Sequence, residues 1–251
     1  MKIALIGSGN VASVLGRLIV QKQHSVCQVI SRDMEHARQL ADELGATAGD
    51  FSVKPDTSAD IFIIALSDSA LENFFVEGNL REKCVVHTAG SVGIDILSRY
   101  SDYYGVLYPL QSLRKEVVEI PTIPFLIDGN NTESFQYIEA FARSISPFVE
   151  RTNDEERLKL HAAAVIVSNF TNHLYAIAED FCVKENVPFD MLKPLILETA
   201  MRLNHFSPSQ VQTGPAIRKD IHTLDKHLRL FTAHPKLRTM YLRLTDSIMN
   251  P

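Results

Sequence analysis

Residues 161–174, HAAAVIVSNFTNHL, place polar side chains at helical spacing within an otherwise apolar segment. On a helical wheel His161 and Ser168 share one face, and Asn169 and His173 lie on its flank. A histidine has an ordinary pKa of about 6.5 and can donate a proton near neutral pH, while asparagine and serine can orient a small molecule. The spacing predicts His161 and Asn169 as catalytic residues and Ser168 and His173 as substrate contacts. The alternative is that these side chains pair with neighbouring backbone or with another subunit.

A glycine-rich turn at the N-terminus predicts a second kind of chemistry. Gly7, Gly9 and Ala12 of GSGNVA fit the pattern G-x-G-x-x-G/A between an apolar strand and a helix. The first glycine permits a tight turn, the second lets the backbone approach a pyrophosphate, and the small third residue packs helix on strand. The alternative is a turn that only connects strand and helix. The predicted dinucleotide contacts are Gly7, Ser8, Gly9, Asn10, Val11 and Ala12.

The end of the second predicted strand indicates which dinucleotide binds. Dinucleotide sites for NAD usually place a carboxylate there, about 20 residues after the glycines, on the ribose 2′-hydroxyl. This chain has Ser31 at that position, followed by Arg32. A guanidinium forms charge-assisted and often bidentate bonds to phosphate, so the pair favours NADP(H). Asp33 keeps NAD open, because a shift of one residue would bring its carboxylate to the ribose.

Two further strand ends should line the same crevice, because ligands of such sheets bind outside the carboxyl ends of the strands. They are ALSD, residues 65–68, and HTAGS, residues 87–91. Their small and hydroxylated side chains permit close approach of a nicotinamide ribose, although ordinary turns use the same residue types. The predicted cofactor contacts are Leu66, Ser67, Asp68, Thr88, Ala89 and Gly90.

A second candidate substrate surface is TGPAIRKD, residues 213–220. Thr213 can cap a following helix and Gly214 permits close backbone approach, with a proline suited to the first turn. Arg218 would then lie near a helix N-terminus, where a cation and free N–H groups favour an anion such as a carboxylate. A plain helix start is the alternative. Gln111 is a further candidate for substrate contact.

Metal binding is not predicted. Asn169 with His173 is a poor ligand pair, and His222 with His227 has the wrong spacing for one helical face. The cysteines are odd in number and far apart without a CxxC pair, so they indicate neither a disulfide framework nor a thiolate metal site. A reducing cytoplasm fits this usage best. The cysteines are Cys27, Cys84 and Cys182.

The composition is that of a globular chain of 251 residues with 45% hydrophobic and 22% charged residues. Residues 1–150 hold 12 Lys and Arg against 19 Asp and Glu, and residues 151–251 hold 13 against 11. Neither half has the basic excess of a nucleic-acid binder, and no run of basic residues indicates a membrane surface. No apolar stretch approaches the roughly 20 residues of a membrane span. The expected partner is a small-molecule substrate.

The pattern along the chain predicts how these groups are positioned. Up to about residue 150, short β-branched runs alternate with amphipathic segments, as in βαβ units, including helices over residues 10–21 and 34–44. The runs predict six strands: KIALIG, VCQVIS, DIFIIAL, CVVHTA, YGVLYP and PFLIDG. After Pro147 the chain has long helical periodicity, with Pro235 starting a last helix. We therefore predict an α/β fold: a Rossmann-type, mostly parallel, doubly wound sheet in residues 1–152, followed by an all-α domain in residues 153–251.

These motifs carry a family resemblance. IALIGSGNVA, ISRD and HTAGSVGIDIL resemble the superfamily of pyrroline-5-carboxylate reductase, the β-hydroxyacid and 6-phosphogluconate dehydrogenases and the deazaflavin-dependent NADP oxidoreductases. GVLYPLQSL, HAAAVIVSNF and TGPAIRKD resemble a bacterial family of Rossmann-like proteins with a C-terminal domain of unknown function. The resemblance implies an NADP-binding oxidoreductase that forms a homodimer through its helical domain.

One position departs from the superfamily pattern. Its dehydrogenases carry Lys-x-x-x-Asn on the first helix after the nucleotide domain, and Asn169 matches that asparagine. The lysine position holds Val165. We expect His161 to replace the lysine in an NADP(H)-dependent oxidoreductase that transfers a hydride to or from a small carbonyl or imine, with Asn169 and Arg218 holding substrate. The alternatives are a non-catalytic NADP(H)-binding or sensing protein and a methyltransferase with a similar glycine turn.

Overall fold

The computed structural model describes residues 1–74 and 79–251. The first part of the chain forms an eight-stranded sheet in the order β3-β2-β1-β4-β5-β6-β7-β8. The strands are β1 Lys2–Ile6, β2 Ser25–Ile30, β3 Thr47–Gly49, β4 Ile61–Ile64, β5 Cys84–His87, β6 Tyr103–Pro109, β7 Phe125–Gly129 and β8 Val149–Arg151. Only β6 and β7 pair antiparallel among these strands. The first six strands have the order of a dinucleotide-binding sheet, which confirms the predicted fold class.

Helices cover both faces of this sheet. The helices of this part of the chain are α1 Asn10–Gln21, α2 Met34–Leu44, α3 Asp68–Glu72, α4 Thr132–Ile145 and α5 Asp154–Ala164. The bounds of α1 and α2 are those predicted from the sequence. Gly45 ends α2 in the left-handed conformation at φ +68°, where a residue without Cβ is unstrained.

The central strands are buried on both sides, as parallel strands between two helical layers must be. Successive side chains of a strand point to opposite faces. In β1, Ile3 and Leu5 join the larger cluster of buried apolar residues, whereas Ala4 and Ile6 join the cluster on the other face. This explains why KIALI reads as a continuous apolar run rather than as an alternating one.

The chain forms two compact units, Met1–Val167 and Ser168–Pro251. The second unit is helical, with α6 Thr171–Lys184, α7 Lys193–Met201, α8 Ile221–Leu230 and α9 Pro235–Met249. The all-α character of the C-terminal half and the start of the last helix at Pro235 are therefore confirmed. The predicted domain boundary after residue 152 falls between β8 and α5, and it stays a prediction. None of the helices within the described ranges has the length and apolar character needed to cross a membrane.

Candidate functional site

The glycine turn after β1 has the geometry that the fingerprint predicts. Gly7 has φ +123°, and a Cβ at this position would lie 2.3 Å from the Ala65 carbonyl oxygen, so no side chain fits. Its N–H donates to the Ile30 carbonyl oxygen at 2.7 Å, which ties the turn to the end of β2. Gly9 precedes α1, and a Cβ there would meet no atom within 4 Å. Ala12, in the first turn of α1, is fully buried. The open space at Gly9, beside the free N–H groups of a helix N-terminus, fits a diphosphate.

A cleft of about 730 Å³ lies along this turn and the ends of the neighbouring strands. The predicted cofactor residues that line it are Gly7, Ser8, Gly9, Ser31, Arg32, Leu66 and Ser67. His36, Phe51 and Lys115 also line the cleft and were missed from the sequence. The dinucleotide fingerprint contains no signal for them, because two lie on neighbouring elements and Lys115 comes from a distant loop.

The structure places Ser31, Arg32 and Asp33 in different roles. The buried Ser31 hydroxyl lies 2.7 Å from the Ser8 hydroxyl. The Asp33 carboxylate accepts hydrogen bonds from the Glu35 and His36 N–H groups and caps α2, and these bonds hold its pKa below the ordinary range. Arg32 is exposed at the cleft, and its side chain makes no hydrogen bond or ion pair within residues 1–74 and 79–251. The carboxylate is thus engaged with its own helix, and the guanidinium faces the cleft unpaired.

The remaining predicted cofactor residues lie outside this cleft. Asn10 begins α1, and its side-chain oxygen accepts from the Lys115 N–H at 3.3 Å. Val11 and Ala12 pack against the core below. Asp68 begins α3 and accepts a hydrogen bond from the Ser91 hydroxyl. Thr88, Ala89 and Gly90 follow β5.

The end of β6 brings a tyrosine to the predicted catalytic histidine. The Tyr108 hydroxyl and the His161 Nδ1 are 2.8 Å apart, and the two rings meet edge to face at 5.8 Å between centroids. A Cβ on Gly90 would lie 2.6 Å from the His161 Nδ1, so the glycine makes room for the imidazole. Burial and the nearby Asp68 charge raise the pKa of Tyr108, and the Arg157 charge opposes them. The tyrosine hydroxyl therefore keeps its proton at neutral pH. The sequence analysis includes Tyr108 in a predicted strand and in the motif GVLYPLQSL but does not predict it as a site residue.

Two buried polar side chains lie behind this pair. Arg157, one turn before His161 on α5, is 1% exposed, and its Nη2 donates to the Val92 carbonyl oxygen and to Asp154 Oδ1 at 2.7 Å. His87, at the end of β5, is fully buried and accepts from the Ala89 N–H. Burial, assisted by the Arg157 charge, lowers the pKa of His87 to about 4. Because this pKa lies below the ordinary value, the stability from a neutral His87 is lost as the pH falls from about 6.5 toward 4.

Six predicted residues lie in the second unit. Ser168 and Asn169 belong to a π-helical segment, Val165–Phe170, and Asn169 is exposed. His173 lines a cleft of about 530 Å³ within that unit. The remaining three are Thr213, Gly214 and Arg218, in the turn before α8. The Gln111 amide, in the first unit, donates to the Thr122 carbonyl oxygen within its own loop. The described residues contain no group of three or more His, Cys, Asp and Glu that could hold a metal ion.

The predicted helix start at Thr213 is wrong. Gly214 has φ +108° and Lys219 has φ +54°, so the segment between them forms turns, in which Arg218 lies. The helix begins at Ile221 instead, and the Asp220 side chain caps it by accepting from the Thr223 N–H at 3.1 Å. Arg218 is therefore not placed at the N-terminus of a helix.

Both parts of the chain match known protein families. Residues 2–90 match the family model described as NADP oxidoreductase, coenzyme F420-dependent, and residues 123–248 match a domain of unknown function, DUF2520. The first match confirms the prediction of NADP as the cofactor, and together they confirm the resemblance drawn from the motifs. No curated protein sequence matches the chain.

Three solved structures give further comparisons. A 1-pyrroline-5-carboxylate reductase of Streptococcus pyogenes is 14% identical, with a TM-score of 0.63 over 100% of this chain and 99% of its own. A reductive aminase of Aspergillus terreus, in complex with NADPH and ethyl-5-oxohexanoate, is 13% identical, with a TM-score of 0.62 over 100% and 90%. Both share the fold.

The third structure is more similar. A Bacteroides fragilis protein provisionally named an NADP oxidoreductase is 38% identical, with a TM-score of 0.91 over 100% of this chain and 98% of its own. With this identity over the whole chain and a DUF2520 match over half of it, the chain belongs to the DUF2520 family and carries an NADP oxidoreductase domain at its N-terminus.

Proposed function

We propose that the protein is an NADP(H)-dependent reductase that acts on a small carbonyl or imine compound. The observation that carries this proposal is the hydrogen-bonded pair of Tyr108 and His161. It lies at the carboxyl ends of β5 and β6, which run parallel to β1 and β4 in the same sheet. The pair and the glycine turn are thus on one edge, where ligands of such sheets bind.

The residues around the glycine turn fit NADP. Gly9 leaves open space at the start of α1 for the diphosphate, and the Ser31 hydroxyl and Arg32 guanidinium suit a 2′-phosphate. The Asp33 carboxylate caps α2 and is therefore not available to bind the ribose 2′-hydroxyl of NAD. NADPH, when bound, supplies the hydride.

Tyr108 and His161 supply the proton in this proposal. In this arrangement the Tyr108 hydroxyl donates to the His161 Nδ1, and the ring hydrogen lies on Nε2. That N–H polarises the oxygen or nitrogen of the acceptor bond and delivers the proton as the hydride reaches carbon. As Nε2 loses its proton, Nδ1 takes up the Tyr108 hydroxyl proton, and solvent water then returns a proton to the tyrosine. The pair thereby takes the role of the superfamily lysine, whose position holds Val165.

The substrate contacts predicted from the sequence remain part of the proposal. Asn169 and Arg218 are proposed as anchors, and Gln111, Ser168, His173, Thr213 and Gly214 as further contacts. A homodimer through the helical domain is also proposed, and exposed apolar side chains of that unit support it: Val183 is 73% exposed, Met191 75% and Leu197 66%. Sedimentation that gives the mass of a single chain at micromolar concentration would contradict the dimer.

A panel of acceptors tests the proposed activity. Oxidation of NADPH is followed by absorbance with small ketones, aldehydes, cyclic imines and ketone–amine mixtures, a choice motivated by the substrates in the names of the two structural relatives. We expect turnover with at least one class. Tight binding of NADPH without oxidation across the panel would favour a sensing protein, and tight S-adenosylmethionine binding without NADPH binding would favour a methyltransferase.

Arg32→Ala tests the preference for NADP. Charge-assisted bonds to phosphate contribute about 1.5–3 kcal/mol, so we expect NADPH affinity to fall by about 10- to 100-fold while NADH affinity is unchanged. Calorimetric titration with each nucleotide measures both. Arg38→Ala, which removes the same charge from an exposed position on α2, is the matched control. An unchanged ratio of the two affinities in Arg32→Ala would show that Arg32 does not recognise the 2′-phosphate.

A further inference from the structure

The loop between β6 and β7 brings a lysine to the adenosine side of the cleft. Lys115 lines the 730 Å³ cleft together with the glycine turn, and it also lines an adjoining cleft of about 310 Å³ between α1 and α2. Ser8 and His36 are shared by the two clefts as well. The three shared side chains are all able to donate hydrogen bonds to a phosphate. The junction of the clefts is therefore a place with the chemistry of an anion site.

The backbone of this loop is fixed on α1. Arg17 Nη1 donates to the Lys115 carbonyl oxygen at 2.7 Å, and the Lys115 N–H donates to the Asn10 side chain at 3.3 Å. Leu113, two residues earlier, is buried in the core cluster. Lys115 is thus held beside the first turn of α1 by contacts that leave its ammonium group free to bind.

At the junction of the two clefts the carboxylates have partners, whereas two of the cations make no direct contact. Each nearby carboxylate has a partner: Glu43 pairs with Arg17, Glu116 pairs with Arg114, and Asp33 caps α2. The side chains of Arg32 and Lys115 make no hydrogen bond or ion pair with the part of the chain that the structure describes. Their charges attract Asp33 and Glu116 without direct contact. Two cations from two different elements thus line one space with no direct ion pair in the described chain.

We propose that Lys115 is a specificity-determining residue, which binds the phosphate monoester on the adenosine ribose of NADP together with Arg32. The assignment rests on the proposed function. A phosphate monoester carries about −1.5 to −2 charge at pH 7, so one guanidinium neutralises it only in part and a second cation adds affinity. The hydroxyl of Ser8, which contacts that of Ser31, is the neutral donor between them.

The alternative is a contact of Lys115 with the diphosphate of the cofactor and not with its ribose phosphate. The diphosphate of the cofactor is also an anion, and Gly9, where it is expected, lines the same cleft. NADH and NADPH share the diphosphate and differ in the ribose phosphate. A lysine on the diphosphate would therefore support both nucleotides equally, whereas a lysine on the ribose phosphate supports NADPH alone.

Calorimetric titration of the full chain with NADPH and with NADH tests the assignment, and it needs no substrate. Lys115→Ala is expected to weaken NADPH binding about tenfold and to leave NADH binding unchanged, and Lys115→Arg is expected to retain most of the NADPH affinity. Lys22→Ala removes the same charge from an exposed position at the other end of α1 and should change neither affinity. All titrations use one low salt concentration, because salt screens exposed charges.

The outcomes of these titrations test the assignment of Lys115 and the proposed function separately. Equal weakening of NADPH and NADH by Lys115→Ala, or no change in either, would overturn the assignment of Lys115 and leave the proposed reductase intact. A wild-type protein that binds neither nucleotide would overturn the proposed function and this assignment together. A tenfold change confined to NADPH supports both.

Discussion

Replacement of His161 with alanine is expected to lower kcat by about 10²- to 10⁴-fold, the usual contribution of general acid catalysis, while NADPH affinity is unchanged. The imidazole contacts Tyr108 and lies against Gly90. It does not line the cleft at the glycine turn. Steady-state turnover with the acceptor identified by the panel, and calorimetry with NADPH, measure the two quantities separately. A variant that retains full turnover would remove His161 from the mechanism.

Tyr108→Phe tests the contribution of the hydroxyl to kcat separately from that of the ring. Phenylalanine keeps the edge-to-face packing on His161 but removes the hydrogen bond to Nδ1, so we expect a smaller loss of kcat than for His161→Ala and a changed pH profile. Tyr104→Phe is the matched control, because this hydroxyl belongs to the same strand and contacts Asp95 instead. If both tyrosine variants lower kcat equally, the effect comes from the strand and not from the pair.

The fold was predictable where a segment buries one or both of its faces. The six strands found from the sequence contain apolar runs that the sheet buries, such as Ile61–Ile64. The two strands that were missed, Thr47–Gly49 and Val149–Arg151, lie at the two edges of the sheet and have three residues each. Val149–Arg151 exposes Glu150 and Arg151. An edge strand is held by backbone bonds to a single neighbour, and such bonds leave no pattern in side-chain types.

The candidate site was predictable where local backbone geometry restricts the residue type. Gly7 has no room for a Cβ, and its fingerprint is visible in the sequence for that reason. Tyr108 and Lys115 were missed because their positions depend on how distant segments pair: Tyr108 is 53 residues from His161, and Lys115 is 105 residues from Asn10. The wrong helix start at Thr213 has a related cause. Cap preferences are local, and the left-handed conformation of Lys219 was not predictable from them.

Replacement of Arg157 is expected to have a large effect on the free energy of unfolding. Its side chain is 1% exposed, whereas its partner Asp154 keeps 46% of its side chain exposed. Nη2 makes two hydrogen bonds, but Nε and Nη1 have no partner among the described residues. Two opposing effects therefore act at one residue, because paired charge stabilises the fold and unpartnered buried N–H groups destabilise it. Substitutions that differ in volume and not in charge separate these effects.

Arg157→Ala is expected to lower the free energy of unfolding by about 3–5 kcal/mol, because it leaves a cavity and an unpaired Val92 carbonyl oxygen. Arg157→Met fills most of that cavity without charge, and we expect a loss of only about 1–2 kcal/mol. The loss of two hydrogen bonds costs more than the removal of two unpartnered N–H groups gains, and the net loss stays small because Asp154 can return to water. Urea unfolding at pH 7 measures both variants. A methionine variant more stable than the wild type would show that Arg157 destabilises the fold.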